Sequence, residues 1–134
     1  MKYLLDSDVF FEAARRKGSL KVKRWAAALV PAQVYLCPIL VAEYVRGVQL
    51  LPPGPNRVQE LRFLLRALKL FQWAALDSRA ASRFATARNS LPRGFTVPDN
   101  DTWKAALAMR HGLSLATGNV RHFQHFPINI LNPF

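Results

Sequence analysis

The chain has 134 residues, 51% of them hydrophobic and 20% charged, which excludes disorder and matches the size of one domain. Nineteen Lys and Arg against eight Asp and Glu give a net charge of +11, so the expected partners are nucleic acid, an anionic membrane or an acidic protein. No apolar run approaches the ~20 residues a membrane span requires, and the lone Cys37 excludes an intrachain disulfide and fits a reducing cytoplasm.

In chain order, residues 2–5 read as a short buried strand that meets Asp6 too early for a signal peptide. Residues 7–17 read as a helix with Ser7 as N-cap and Gly18 as stop. A second helix covers 20–29, a second strand 33–37, and a third helix 39–51 carries Glu43, with Gly47 as a weak point inside it. After the breaker cluster Pro52-Pro53-Gly54-Pro55, residues 56–70 form an amphipathic helix. Its apolar face is Val58, Leu61, Leu65 and Leu68, and its basic face Arg62, Arg66 and Lys69. Ala74-Ala75-Leu76 is a weak third strand, and Asp77 or Ser78 caps a helix over 79–89. A loop over 91–97 leads to a helix over 100–111 that stops at Gly112. Strands follow at 113–116 and 128–131. Strands alternating with helices predict a three-layer α/β/α domain over 1–134, with a central, mostly parallel sheet of four to five strands. In such sheets ligands bind at the carboxyl ends of the strands, where Asp6 and Thr117 sit.

Five of the eight acids fall at three places: Asp6 and Asp8, Glu43, and Asp99 and Asp101. Mg²⁺ prefers oxygen ligands and takes one or two carboxylates plus water and phosphate. Crowded carboxylates without a cation repel by roughly 1–4 kcal/mol per pair at about 4 Å. A structural reading competes, because acids at helix N-termini are favoured as caps and by the helix dipole. Asp8, Asp99 and Asp101 all allow it. Glu43 resists it, lying inside an apolar helix, although it could pair with Arg46 or another arginine.

Tyr3-Leu4-Leu5-Asp6-Ser7-Asp8-Val9 resembles the opening of PIN-domain proteins, a buried strand delivering an Asp. Val41-Ala42-Glu43-Tyr44-Val45-Arg46-Gly47 is similar to that family's second motif. Asp101-Thr102-Trp103-Lys104-Ala105-Ala106-Leu107-Ala108 resembles the third, and the segment from His111 to Phe123 the closing one. The four motifs occur in order, and the likeness extends to VapC-type toxins. The resemblance implies a Mg²⁺- or Mn²⁺-dependent endoribonuclease acting on RNA, inhibited by a cognate antitoxin and often homodimeric. Carried over by position, Asp6, Glu43 and Asp101 become the catalytic and metal-binding acids, with Ser7, Asp8, Thr117 and Asn119 as the supporting pocket. The chain departs from the family at the close, where a fourth acid often stands at the position of Asn119 or of His122. One metal ion is therefore expected rather than two, and Asn119 offers a neutral oxygen.

Two other readings stand beside this one. Leu4-Leu5-Asp6-Ser7-Asp8 also resembles the first motif of haloacid-dehalogenase phosphatases, but no Gly-Asp pair for the later metal motif occurs in the chain. A PIN-like fold kept as a catalytically inactive nucleic-acid- or protein-binding module is the second, motivated by the missing fourth acid. His122 and His125 lack a third ligand for zinc, and Trp25, Trp73 and Trp103 read as core or dimer anchors. Asp99 reads as a turn or cap residue, and Lys17, Lys21, Lys23, Arg24, Arg57, Arg62, Arg66 and Lys69 as a positive field for RNA or an acidic antitoxin segment.

Overall fold

The computed structural model describes all 134 residues. Five parallel strands form one sheet in the order β3-β2-β1-β4-β5: β1 (Tyr3–Leu5), β2 (Val34–Leu36), β3 (Gln72–Trp73), β4 (Ser114–Ala116) and β5 (Ile130–Leu131). The central strand β1 aligns Tyr3 with Val34 on one side and Leu5 with Ala116 on the other. Strands buried on both faces read as continuous apolar runs, and Tyr3, Leu4, Leu5, Leu115 and Ala116 are all buried. The connections are helical: α1 (Ser7–Ala14), α2 (Leu20–Ala27), α3 (Pro38–Gln49), α4 (Pro55–Leu70), α5 (Ser78–Asn89), α6 (Asp99–His111) and α7 (Val120–Phe123). Right-handed crossovers place α1–α4 on one face and α5 and α6 on the other. The packing agrees, with α1 against α2 and α3, α3 against α4, and α5 against α6. The chain moves outward from β1 through β2 to β3, then returns across the sheet to β4. Asp6 therefore ends the strand at the topological switch point.

Several sequence expectations shift. Asp6, not Ser7, caps α1, its side chain accepting from the Ser7 N–H at 2.8 Å. The helix stops at Ala14, three residues short of the expected end, because the chain folds back on it. The Glu12 carboxylate accepts from the Ser19 N–H at 2.7 Å, and Lys23 donates to the Ala13 carbonyl. Gly18 is required here, since a Cβ would lie 2.0 Å from the Glu12 carbonyl oxygen. The third strand is Gln72–Trp73 rather than 74–76. Its side chains are exposed on the sheet edge, so it lacks the apolar run of a buried strand, and pairing ends with the Ala74 N–H donating to the Leu36 carbonyl. The short helix α7 lies between the strands expected at 113–116 and 128–131. Gly47 does not weaken α3. It lets the helix approach Phe11, whose ring would lie 3.0 Å from a Cβ.

The expected apolar face of α4 does not reach the core. Leu64 and Ala67 are buried, while Val58, Leu61, Leu65 and Leu68 remain 37–59% exposed. Trp103 packs against Phe84 and Trp25 meets Tyr3 edge-on, but Trp73 is exposed and is no core anchor. Cys37 is fully buried, and burial pushes its thiol up to about 11. No helix is long and apolar enough to cross a membrane.

Candidate active site

Asp6 stands at the carboxyl end of β1, beside the matching end of β4. The Asp6 N–H donates to the Ala116 carbonyl, which continues the strand ladder to the carboxylate itself. Oδ1 of Asp6 accepts from the Ser7 N–H, and Oδ2 from the Thr117 hydroxyl at 2.7 Å. Thr117 is fully buried and in turn accepts from the Asn119 N–H at 3.0 Å. Both oxygens of Asp6 are thus aimed by short-range contacts that the strand register dictates.

Glu43 projects from α3 and Asp101 from the first turn of α6, where α3 and α6 touch across the strand ends. The structure brings both to Asp6, as all three carboxylates surround one group, the ammonium of Lys104. Its Nζ lies 2.5 Å from Asp6 Oδ1, 2.5 Å from Glu43 Oε1 and 3.7 Å from Asp101 Oδ1, with the Ser7 hydroxyl at 3.5 Å. The Lys104 side chain is 1% exposed. Burial works against its charge, but the attraction of Asp6 and the hydrogen bonds to Asp6 and Glu43 outweigh it and hold the ammonium above the ordinary lysine range. Lys104 escaped the sequence reading. The available signal was its place three residues after Asp101, on the same helical face, as the only charged residue between Thr102 and Met109.

The supporting residues divide. Asp8 does not face the ammonium directly. Its Oδ1 accepts from the Val9 N–H at 2.7 Å and its Oδ2 from the Gly118 N–H at 2.8 Å, tying α1 to the loop after β4. Burial first, then the negative charge of Asp6, pushes its carboxyl up to about 6. Gly118 fits that loop because it has no side chain. A Cβ would lie 2.8 Å from the Phe134 ring and 2.9 Å from the Asp8 carboxylate. His122 lies against Asp101, its Nδ1 2.6 Å from Oδ2 and donating to it in the Nδ1-protonated tautomer, and the Asn119 side-chain nitrogen lies 2.8 Å from the same ring nitrogen. His122, at one of the two fourth-acid positions, therefore braces Asp101. Asp99 points elsewhere and pairs with Arg88.

A cavity of about 310 Å³ opens above the cluster, lined by Asp6, Glu43, Asp101 and Lys104 together with Asn100 and Asn119. A larger cleft of about 540 Å³ adjoins it and shares Asp8 and Asn119. The donor set is all carboxylate oxygen, the chemistry a hard divalent ion requires. The buried Glu43 Oε1 has no partner except the Lys104 ammonium at 2.5 Å, so it is an oxygen already matched to a cation. The residues match a divalent ion in donor type and charge, but three of them do not stand together in ligand geometry, because the Lys104 ammonium takes the space between them.

Known proteins share this arrangement of elements over nearly the whole chain. Toxin FitB of Neisseria gonorrhoeae is 32% identical over 135 residues, covering 98% of this chain and 97% of that protein. Ribonuclease VapC1 of Rickettsia felis is 27% identical, covering 92% and 90%. The crystal structure of FitAcB from Neisseria gonorrhoeae superposes with a TM-score of 0.89 at 31% identity, covering 98% of this chain and 97% of that one. A sequence model of the PIN domain matches residues 3–128, from β1 to the approach to β5. With fold and sequence in agreement over that length, the chain belongs to the PIN-domain family.

Proposed function

We propose that this protein is an endoribonuclease toxin that hydrolyses RNA phosphodiester bonds with Mg²⁺ or Mn²⁺, acts in the cytoplasm and is held in check by a cognate antitoxin. The observation that carries this reading is the convergence of Asp6, Glu43 and Asp101 at the switch point of a PIN-family sheet. The names of two relatives, a toxin and a ribonuclease, support the biological role. Membership in the PIN family removes the basis for the haloacid-dehalogenase alternative.

Asp6, Asp101 and Glu43 would hold the ion. When bound, it supplies Lewis-acid activation of a water and neutralises charge on the phosphate. The protein's own groups do the positioning. Thr117 and the Ser7 N–H fix the two oxygens of Asp6, and His122 fixes Asp101. Basic side chains around the cleft hold the RNA backbone, and a carboxylate of the cluster takes a proton from the attacking water. The exposed apolar row on α4 supports homodimerisation.

The test is cleavage of a single-stranded RNA with Mn²⁺, with chelator, and with Asp101→Asn. Asp101 is the better choice than Asp6, because Asp6 also caps α1 and anchors Lys104. Cleavage is expected to fall at least 100-fold with chelator and in the variant, and undiminished cleavage in either arm refutes the reading. A second reading, a PIN fold retained as a binding module, is favoured by the ammonium at 2.5 Å from two of the acids, which neutralises part of the site. RNA binding without metal-dependent cleavage by the wild type would establish it.

A further inference from the structure

Lys104 is the only one of the 19 basic residues that is buried, and it is buried against three acids. Nothing in the fold requires a lysine there for packing. Its neighbours on α6, Ala105, Ala106, Leu107 and Ala108, show that this segment serves the apolar core. The ammonium stands where the oxygens of Asp6 and Glu43 meet, the point a shared cation would occupy.

We propose that Lys104 is a built-in counter-cation that holds the metal position in the metal-free protein, so that a divalent ion must displace its ammonium to bind. This rests on the reading of Asp6, Glu43 and Asp101 as ion ligands. Three crowded carboxylates with no cation repel one another, and the strain would fall on α3, α6 and the end of β1. With the ammonium in place part of that repulsion is offset without metal, and the site stays folded. Displacement is feasible, because the lysine head sits on a flexible four-carbon stem and borders the open cavity next to Asn100 and Asp101. The cost of displacement appears as weakened metal affinity. The protein therefore needs more divalent ion to load than the same carboxylate set would without the lysine, and its folding does not depend on metal.

The experiment is Mn²⁺ binding followed by loss of the free-ion EPR signal, with wild type, Lys104→Met and Lys104→Gln. Thermal unfolding is measured in chelator and in Mn²⁺ alongside. The glutamine variant keeps hydrogen-bonding capacity without charge, so it remains informative if the methionine variant fails to fold. A neutral residue at 104 is expected to tighten Mn²⁺ binding at least tenfold. In chelator the neutral variants melt below wild type, and Mn²⁺ raises their Tm more than it raises that of wild type. Equal affinity in wild type and both variants overturns the inference while leaving the metal reading intact. Weaker binding in the variants also overturns it and makes Lys104 an organiser of the ligands. No Mn²⁺ binding by any of the three proteins refutes the metal reading itself, and this inference with it.

Discussion

Asp6 does three jobs at once: it caps α1, accepts the Thr117 hydroxyl and pairs with the buried ammonium of Lys104. Asp101 does fewer, because its distance to that ammonium is 3.7 Å and its second oxygen faces half-exposed His122. Removing one partner of a buried ion pair leaves the other charge uncompensated, at a cost of several kcal/mol. Lys104 keeps Glu43 when Asp6 is lost, which limits the damage. Asp6→Asn is therefore expected to destabilise the protein by about 1–3 kcal/mol and Asp101→Asn by less than about 1 kcal/mol. Urea denaturation in chelator checks this ranking, and an equal cost for the two would show that Asp101 shares the ammonium fully. The acids themselves were legible in the sequence, because a chain this basic has few of them and they fall at element ends. Lys104 was not, because in one dimension it is another basic residue on a helix. Only the approach of α3 to α6 across the strand ends turns it into the centre of the cluster.

At the scale of elements, α5 and α6 are joined by a forked ion pair that also serves as a cap. Arg110 of α6 meets both oxygens of Asp77 at 3.0–3.2 Å, and Asp77 accepts from the Ala80 N–H to start α5. The Arg110 guanidinium first, then that N–H, holds the Asp77 carboxyl below its ordinary 3.8. Between the folded and unfolded values the unfolded chain binds more protons, so stability falls as pH falls. The contribution of Asp77 is complete above about pH 4 and is lost on acidification through its folded value. Asp77→Asn is expected to lower stability at neutral pH and to flatten the acid limb of the unfolding curve, as measured by denaturant midpoints from pH 2 to 7. An acid limb parallel to wild type would show that Asp77 does not contribute. The α4 helix shows where periodicity misleads. A 3.6-residue pattern identifies an apolar row without saying what covers it, and Leu61 and Leu65 are left exposed while Leu64 is buried. If that row is the homodimer face, Leu65→Glu leaves monomer stability within about 0.5 kcal/mol and shifts the mass by light scattering from dimer to monomer. A dimer that survives the substitution places the interface elsewhere. The strand–helix alternation was legible because buried parallel strands are unbroken apolar runs, whereas the edge strand Gln72–Trp73 lacks that signature.

Across the whole molecule the charge is scarcely neutralised from within. Only Arg88, Lys104 and Arg110 of the 19 basic residues pair with an Asp or Glu, and the charge of Lys104 is matched by the acids around it. The remaining basic side chains, including the exposed Lys17, Lys21, Arg24, Arg62, Arg66 and Lys69, keep a positive field over the molecule. Such a field attracts single-stranded RNA through release of its condensed counterions, which makes affinity fall with a slope near −0.7 per neutralised phosphate on logarithmic axes. Four to six such contacts, a reasonable footprint for a cleft of this size, give a slope of roughly −3 to −4. Raising salt from about 50 to 200 mM would then weaken binding roughly 100-fold. The measurement is fluorescence anisotropy with a labelled single-stranded RNA and the Asp101→Asn protein, which separates binding from cleavage. Replacing Arg62 and Arg66 together by Gln tests which surface the RNA follows. If the backbone crosses α4, the slope becomes shallower by about 1.4, the share of two phosphates. An unchanged slope moves the path off α4, and a wild-type slope near zero removes the electrostatic basis for RNA binding altogether.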